Sequence, residues 1–109
     1  MTLDEVLTKL KDTNALIEPG EVVMLIEEVG MLIDDLDLEI IELEEKSNQA
    51  WSNANSTYGN LTKTEITNIW KLGPEYKEFR EKTALLKRLR RHYRLLQTKL
   101  NLLTKPRGR

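Results

Sequence analysis

Between residues 77 and 109 the chain carries twelve Lys and Arg against two acids, Glu78 and Glu81. Placed at about 100° per residue, Arg80, Lys87, Arg91 and Arg94 fall on one side of a helix, flanked by Lys77, Arg88 and Arg90. Lys105, Arg107 and Arg109 extend the positive charge into the tail. A guanidinium presents a planar fork of donors that suits phosphate oxygens and also stacks on bases. A stripe of such groups roughly 20 Å long matches a nucleic-acid backbone, where each neutralised phosphate releases counterions. Arg80, Lys87, Arg88, Arg91, Arg94, Lys105, Arg107 and Arg109 are therefore the expected nucleic-acid contacts, and Tyr58, Trp70 and Tyr76 are candidate stacking faces. The competing expectation is that these arginines pair with acidic side chains of the same chain or of a second copy.

Other chemistries find little support. The one histidine, His92, stands beside Arg91 without a Ser or Asp constellation, which is the usual pattern of a surface residue rather than a general base. Glu27, Glu28, Asp34, Asp35, Asp37 and Glu39 are dense enough to suggest a metal. Di-metal bundles, however, combine inward Glu with Glu-x-x-His, and no such pair occurs, nor does EF-hand spacing. The five glycines, at 20, 30, 59, 73 and 108, are too scattered for a phosphate loop. With no cysteine there is no thiol nucleophile, thiolate metal site or disulfide. The expectation is a protein that is not an enzyme and holds no cofactor or metal.

The 109 residues, 39% hydrophobic and 32% charged, suit one domain and are too apolar for a disordered chain. Their net charge of −1 conceals a segregation. Residues 1–50 hold fourteen acids and three bases, whereas residues 51–109 hold four acids and fourteen bases. Residues 21–45 contain ten acids and no base. Either the halves neutralise each other, or each meets a different partner, such as a protein on the acidic helix. The start, Met-Thr-Leu-Asp-Glu, lacks the basic region and apolar stretch of a signal peptide, and no apolar run approaches membrane length. The expected location is the cytoplasm of a bacterial or phage-infected cell, with the tripeptides at Asn55 and Asn60 read as chance matches to a glycosylation site.

Positioning these charges requires helices. Thr2 with Glu5 has capping-box spacing and opens a short helix over 3–11. After Pro19-Gly20 a long acidic helix is expected over 20–54, with Ile26, Val29, Ile33, Leu36, Ile40 and Leu43 on a seven-residue seam. Ser47 interrupts that seam, and Ala50 and Ala54 resume it. Asn55 to Asn60 reads as loop. Thr62 with Glu65 is a second capping box, opening a helix over 62–72. Gly73 ends it, and Pro74 begins a basic helix over 74–104 with Phe79, Leu86, Leu89, Tyr93, Leu96 and Leu100 as its apolar stripe. Residues 105–109 form a basic tail. The expected fold is all-α: a long antiparallel helical hairpin with short flanking helices. A hairpin leaves apolar surface over, and Met24, Met31 and Leu38, with Val23 and Ile41 beside them, form a second line offset from the seam. Met24, Met31, Leu38 and Ile41 are thus the expected oligomer interface, closing a helical bundle as a dimer or higher homo-oligomer. The alternative is that the short helices cover this line within one chain.

The order of parts is an apolar amphipathic helix, Trp51 before a polar Asn-Ser-Thr-Tyr-Gly loop, then Glu-Tyr-Lys opening a basic helix that ends near Lys-Pro-Arg-Gly-Arg. Over residues 40–109 this layout resembles the small all-helical accessory proteins of tailed-phage replication and recombination clusters, of which UvsY-type recombination mediators are representative. The present chain is shorter, and its first long helix is strongly acidic. The resemblance implies an oligomer that binds single-stranded DNA and helps load a recombinase or related factor; it transfers no individual contact residue. From the other class comes a protein–protein module, a coiled-coil adaptor, chaperone or inhibitor whose charge stripes set partner and register.

Overall fold

In the computed structural model, which describes residues 1–12, 15, 16 and 18–105, the chain forms helices α1 (Leu3–Leu10), α2 (Pro19–Thr57), α3 (Lys63–Lys71) and α4 (Pro74–Thr104). The described residues contain no strand. The chain is all-α.

Each helix end has a local cause. Thr2 Oγ1 accepts the Glu5 N–H at 3.2 Å and caps α1. α2 begins at Pro19, and the Glu18 carbonyl accepts the Val22 N–H at 3.2 Å. Pro19-Gly20 is thus the first turn of the helix and not a break before it, because proline's missing donor costs nothing at that position. The far end of α2 also differs from expectation. It continues through Asn55, Ser56 and Thr57, and the loop is confined to the turn that follows. Asn, Ser and Thr are only mildly unfavourable in a helix, so the ladder persists until Gly59. The Tyr58 N–H still donates to the Ala54 carbonyl at 2.8 Å, and the Leu61 N–H donates to the Tyr58 carbonyl at 2.9 Å. Thr62 and Glu65 form a full capping box on α3. Between α3 and α4 the Gly73 N–H donates to the Trp70 carbonyl at 3.0 Å, and Pro74 opens α4.

The chain divides into two compact units. The first comprises Met1–Asp35 and Lys87–Arg109. Its buried side chains are Val6, Leu10, Leu16, Val22, Leu25 and Val29, with Leu89 and Leu96 of α4. Tyr93 lies against α2 at Gly30, 3.6 Å from where a Cβ would stand. The second unit spans Leu36–Leu86 and buries Leu36, Leu43, Ser47, Ile66 and Leu86. Here Trp70 Nε1 donates to the Ser47 carbonyl at 2.9 Å, and Trp51 Nε1 donates to Thr67 Oγ1 at 3.3 Å. Ser47 therefore sits in the buried seam and does not interrupt it. The buried positions of α2 are Val22, Leu25, Val29, Leu36, Leu43 and Ser47; Val22, Val29, Leu36 and Leu43 stand one heptad apart, while Ile26, Ile33 and Ile40 are half-buried at the edge.

Candidate nucleic-acid interface

Rotation of α4 in the first unit is fixed by Leu89 and Leu96, both fully buried. Positions about half a turn away must then face outward. Lys87, Arg91 and Arg94 occupy them, with Arg88 on the flank, and all four are exposed. Lys87 and Arg94 are about 10 Å apart along the axis. Among the described residues none of the four enters an ion pair within the chain. Three acids of α2 pair elsewhere: Lys9 Nζ lies 3.5 Å from Glu21 Oε1, the Met1 amino group 3.7 Å from Glu28 Oε2, and Lys82 Nζ 3.5 Å from Glu39 Oε1. The Lys9–Glu21 and Lys82–Glu39 pairs are a third or more exposed on both sides and contribute little stability. Four cations within two turns are left facing water.

His92 lies beside this face and is half-buried, further inside than the expected surface position. Its Nδ1 is buried without a hydrogen-bond partner. Burial, and then the charges of Arg88 and Arg91, push its pKa below the ordinary histidine value. The ring is neutral at pH 7 and adds no charge to the stripe.

The remaining candidates scatter. Lys105 is exposed just beyond α4, and Arg107 and Arg109 lie outside the described residues. Arg80 belongs to the second unit, where it is exposed and edges an open groove of about 540 Å³. Lys71, Leu72, Tyr76, Lys77 and Glu81 also line this groove. Lys71 had no place in the sequence-derived stripe, because the turn at Gly73 is what brings the end of α3 beside the start of α4. Of the candidate stacking faces, Trp70 and Tyr76 are half-buried against each other, with ring centroids 4.6 Å apart at 55°. The Trp70 indole is further committed by its bond to Ser47. Only Tyr58 of the three is largely exposed. Trp51, absent from the candidates, is a half-buried structural residue tied to Thr67.

The opposite charge has its own outward face. In the first unit Met24 and Met31 are exposed on α2, with Glu27, Asp34 and Asp35 exposed beside them. In the second unit Leu38 and Ile41 are exposed. No group of three or more His, Asp or Glu among the described residues is arranged to hold a metal ion, and no helix there is long and apolar enough to cross a membrane. No protein-family model matches the chain, and no curated protein or solved structure shows significant similarity to it.

Proposed function

We propose that this chain is a non-enzymatic, oligomeric helical accessory protein that binds nucleic acid through the basic face of α4, with single-stranded DNA as the preferred ligand. The observation that carries this function is the exposure of Lys87, Arg88, Arg91 and Arg94 on one face, none of them in an ion pair with another described residue. Cations held at the surface without partners supply the phosphate-neutralising term that dominates nucleic-acid affinity. A cytoplasmic role in replication or recombination rests on the likeness of layout to the phage accessory proteins. The long helices are proposed to run as an antiparallel hairpin. In its favour, each unit sets a piece of α2 against a piece of α4: Gly30 by Tyr93 in the first, Glu39 by Lys82 in the second. Self-association is proposed from the exposed line of Met24, Met31, Leu38 and Ile41.

A gel shift with single- and double-stranded DNA, run beside a solution mass measurement, tests this function. Binding of the single strand at low ionic strength, lost as salt rises, is the expected result; no binding at low salt refutes it. One observation favours the adaptor class instead. Leu95 and Leu102 are exposed on the arginine side of α4, and an apolar-basic face also suits another helix. Under that assignment, changes at Lys87, Arg91 and Arg94 alter molecular mass and leave no DNA binding to lose.

A further inference from the structure

The first unit carries two outward faces that match. On α2, Met24 and Met31 are 41% and 56% exposed, one heptad apart, and bordered by exposed Glu27, Asp34 and Asp35. On α4, Leu95 and Leu102 are 51% and 67% exposed, one heptad apart, and bordered by exposed Arg91 and Arg94. Each face is a pair of large apolar side chains rimmed by charge of a single sign, and the signs are opposite. The two faces cannot meet inside the unit. Val22, Leu25 and Val29 turn the other side of α2 into the core, and Leu89 and Leu96 do the same for α4. Their outward sides point away from each other.

We infer that the basic face of α4 receives the acidic face of α2 from a second copy of the chain, head to tail. The common seven-residue spacing lets the leucines pack between the methionines while Arg91 and Arg94 lie against Glu27, Asp34 and Asp35. Pairing of like faces is disfavoured by the same charges. Two α2 faces would set six carboxylates along one seam, and two α4 faces would crowd their arginines together. Because the faces look in opposite directions, two copies joined once still hold one unused face of each kind, and a third copy can add. This is a heterologous contact, not a two-fold one. It rests on the self-association proposed above and names the surfaces that meet. It also means that the carboxylates of α2 occupy the place a strand's phosphates would take, so assembly and nucleic-acid binding compete for α4.

Sedimentation of the full chain without nucleic acid, at low and at high salt, tests the inference with three variants at exposed positions. These are Asp34→Lys/Asp35→Lys, Arg91→Glu/Arg94→Glu, and the combination of both, each checked for unchanged helical content by circular dichroism. The native chain is expected to associate at low salt and to dissociate as salt rises. Either double reversal should weaken association by about tenfold or more, and the combined variant, with the charges exchanged, should recover it to within about threefold. Persistence of the native mass in Arg91→Glu/Arg94→Glu overturns the head-to-tail contact while leaving self-association standing. A native chain that stays monomeric at low salt overturns both. Failure of the combined variant to recover, with its helices intact, also rejects the contact. None of these results depends on whether DNA binds.

Discussion

The two units hold themselves together by different means. The first is aliphatic throughout its core, from Val6 and Leu10 to Leu89 and Leu96. The second buries fewer aliphatic residues and relies on aimed contacts: the Trp70 indole on the Ser47 carbonyl, Trp51 on Thr67, the Trp70–Tyr76 ring pair and the Thr62–Glu65 box. Aliphatic packing is indifferent to what stands on the far side of a helix, since it uses only the inward stripe. The outer faces of the first unit are therefore free to carry one sign of charge each, acidic on α2 and basic on α4. In the second unit the polar atoms of large side chains are spent on holding helices together. Surface charge and stability are thus separable in the first unit and entangled in the second.

That contrast can be broken by mutation. The largest effect belongs to Leu89→Ala, which deletes a fully buried side chain and is expected to cost about 2–5 kcal/mol in urea denaturation. Losses in the second unit should be smaller and spread over several contacts. Thr62→Ala removes the α3 cap and is expected to cost about 1 kcal/mol. Trp70→Phe keeps most of the ring but loses the bond to Ser47, and about 0.5–1.5 kcal/mol is expected by the same measurement. Equal losses from Leu89→Ala and Trp70→Phe would erase the distinction between the units.

Acid titration sharpens the contrast further. The Thr62 hydroxyl, and then its backbone N–H, hold the Glu65 carboxyl below its ordinary value of 4.5. The stabilisation from that box is complete above the ordinary value and disappears as pH falls through the lowered one. In Thr62→Ala this acid-sensitive part should shrink, since the hydroxyl is lost while the backbone N–H remains. His92 responds in a higher window. Its pKa is lowered in the folded chain, so the unfolded chain takes up the proton first, and stability falls as pH drops through 6.5. Denaturation midpoints at neutral and mildly acidic pH should differ less in His92→Gln than in the native chain. This is the smallest of the expected effects.

The helices were legible where a local cause sets their ends. Thr2 with Glu5, Thr62 with Glu65, and Gly73-Pro74 each act over three or four residues, and the structure carries the corresponding caps. Positions whose composition pointed one way while the helix ladder or a distant partner decided the other were not legible. Asn55 to Thr57 have loop-like composition, yet the ladder from α2 runs through them. Ser47 looks like a fault in the seam until Trp70, twenty-three residues later, is seen to bond its carbonyl. For the candidate interface, the outward placement of Lys87, Arg91 and Arg94 follows from helical periodicity around Leu89 and Leu96. Whether acids of α2 would neutralise them depends on tertiary geometry, and no periodicity of a single helix contains that. Met24 and Met31 lay on the second apolar line for the same local reason, but the opposed directions of the acidic and basic faces required the packed unit.

The central claim, that unpaired cations on α4 bind nucleic acid, is tested most directly by the salt dependence of single-stranded DNA binding. Native chain and Lys87→Ala/Arg91→Ala/Arg94→Ala would be compared by fluorescence anisotropy on a labelled oligonucleotide. Four phosphate contacts predict a log–log slope of about −3, and removing three of the cations should reduce its magnitude by about 2. Stability should stay within about 0.5 kcal/mol of native, since all three positions are exposed. A native slope near zero, or a slope that the triple substitution leaves unchanged, would contradict the account.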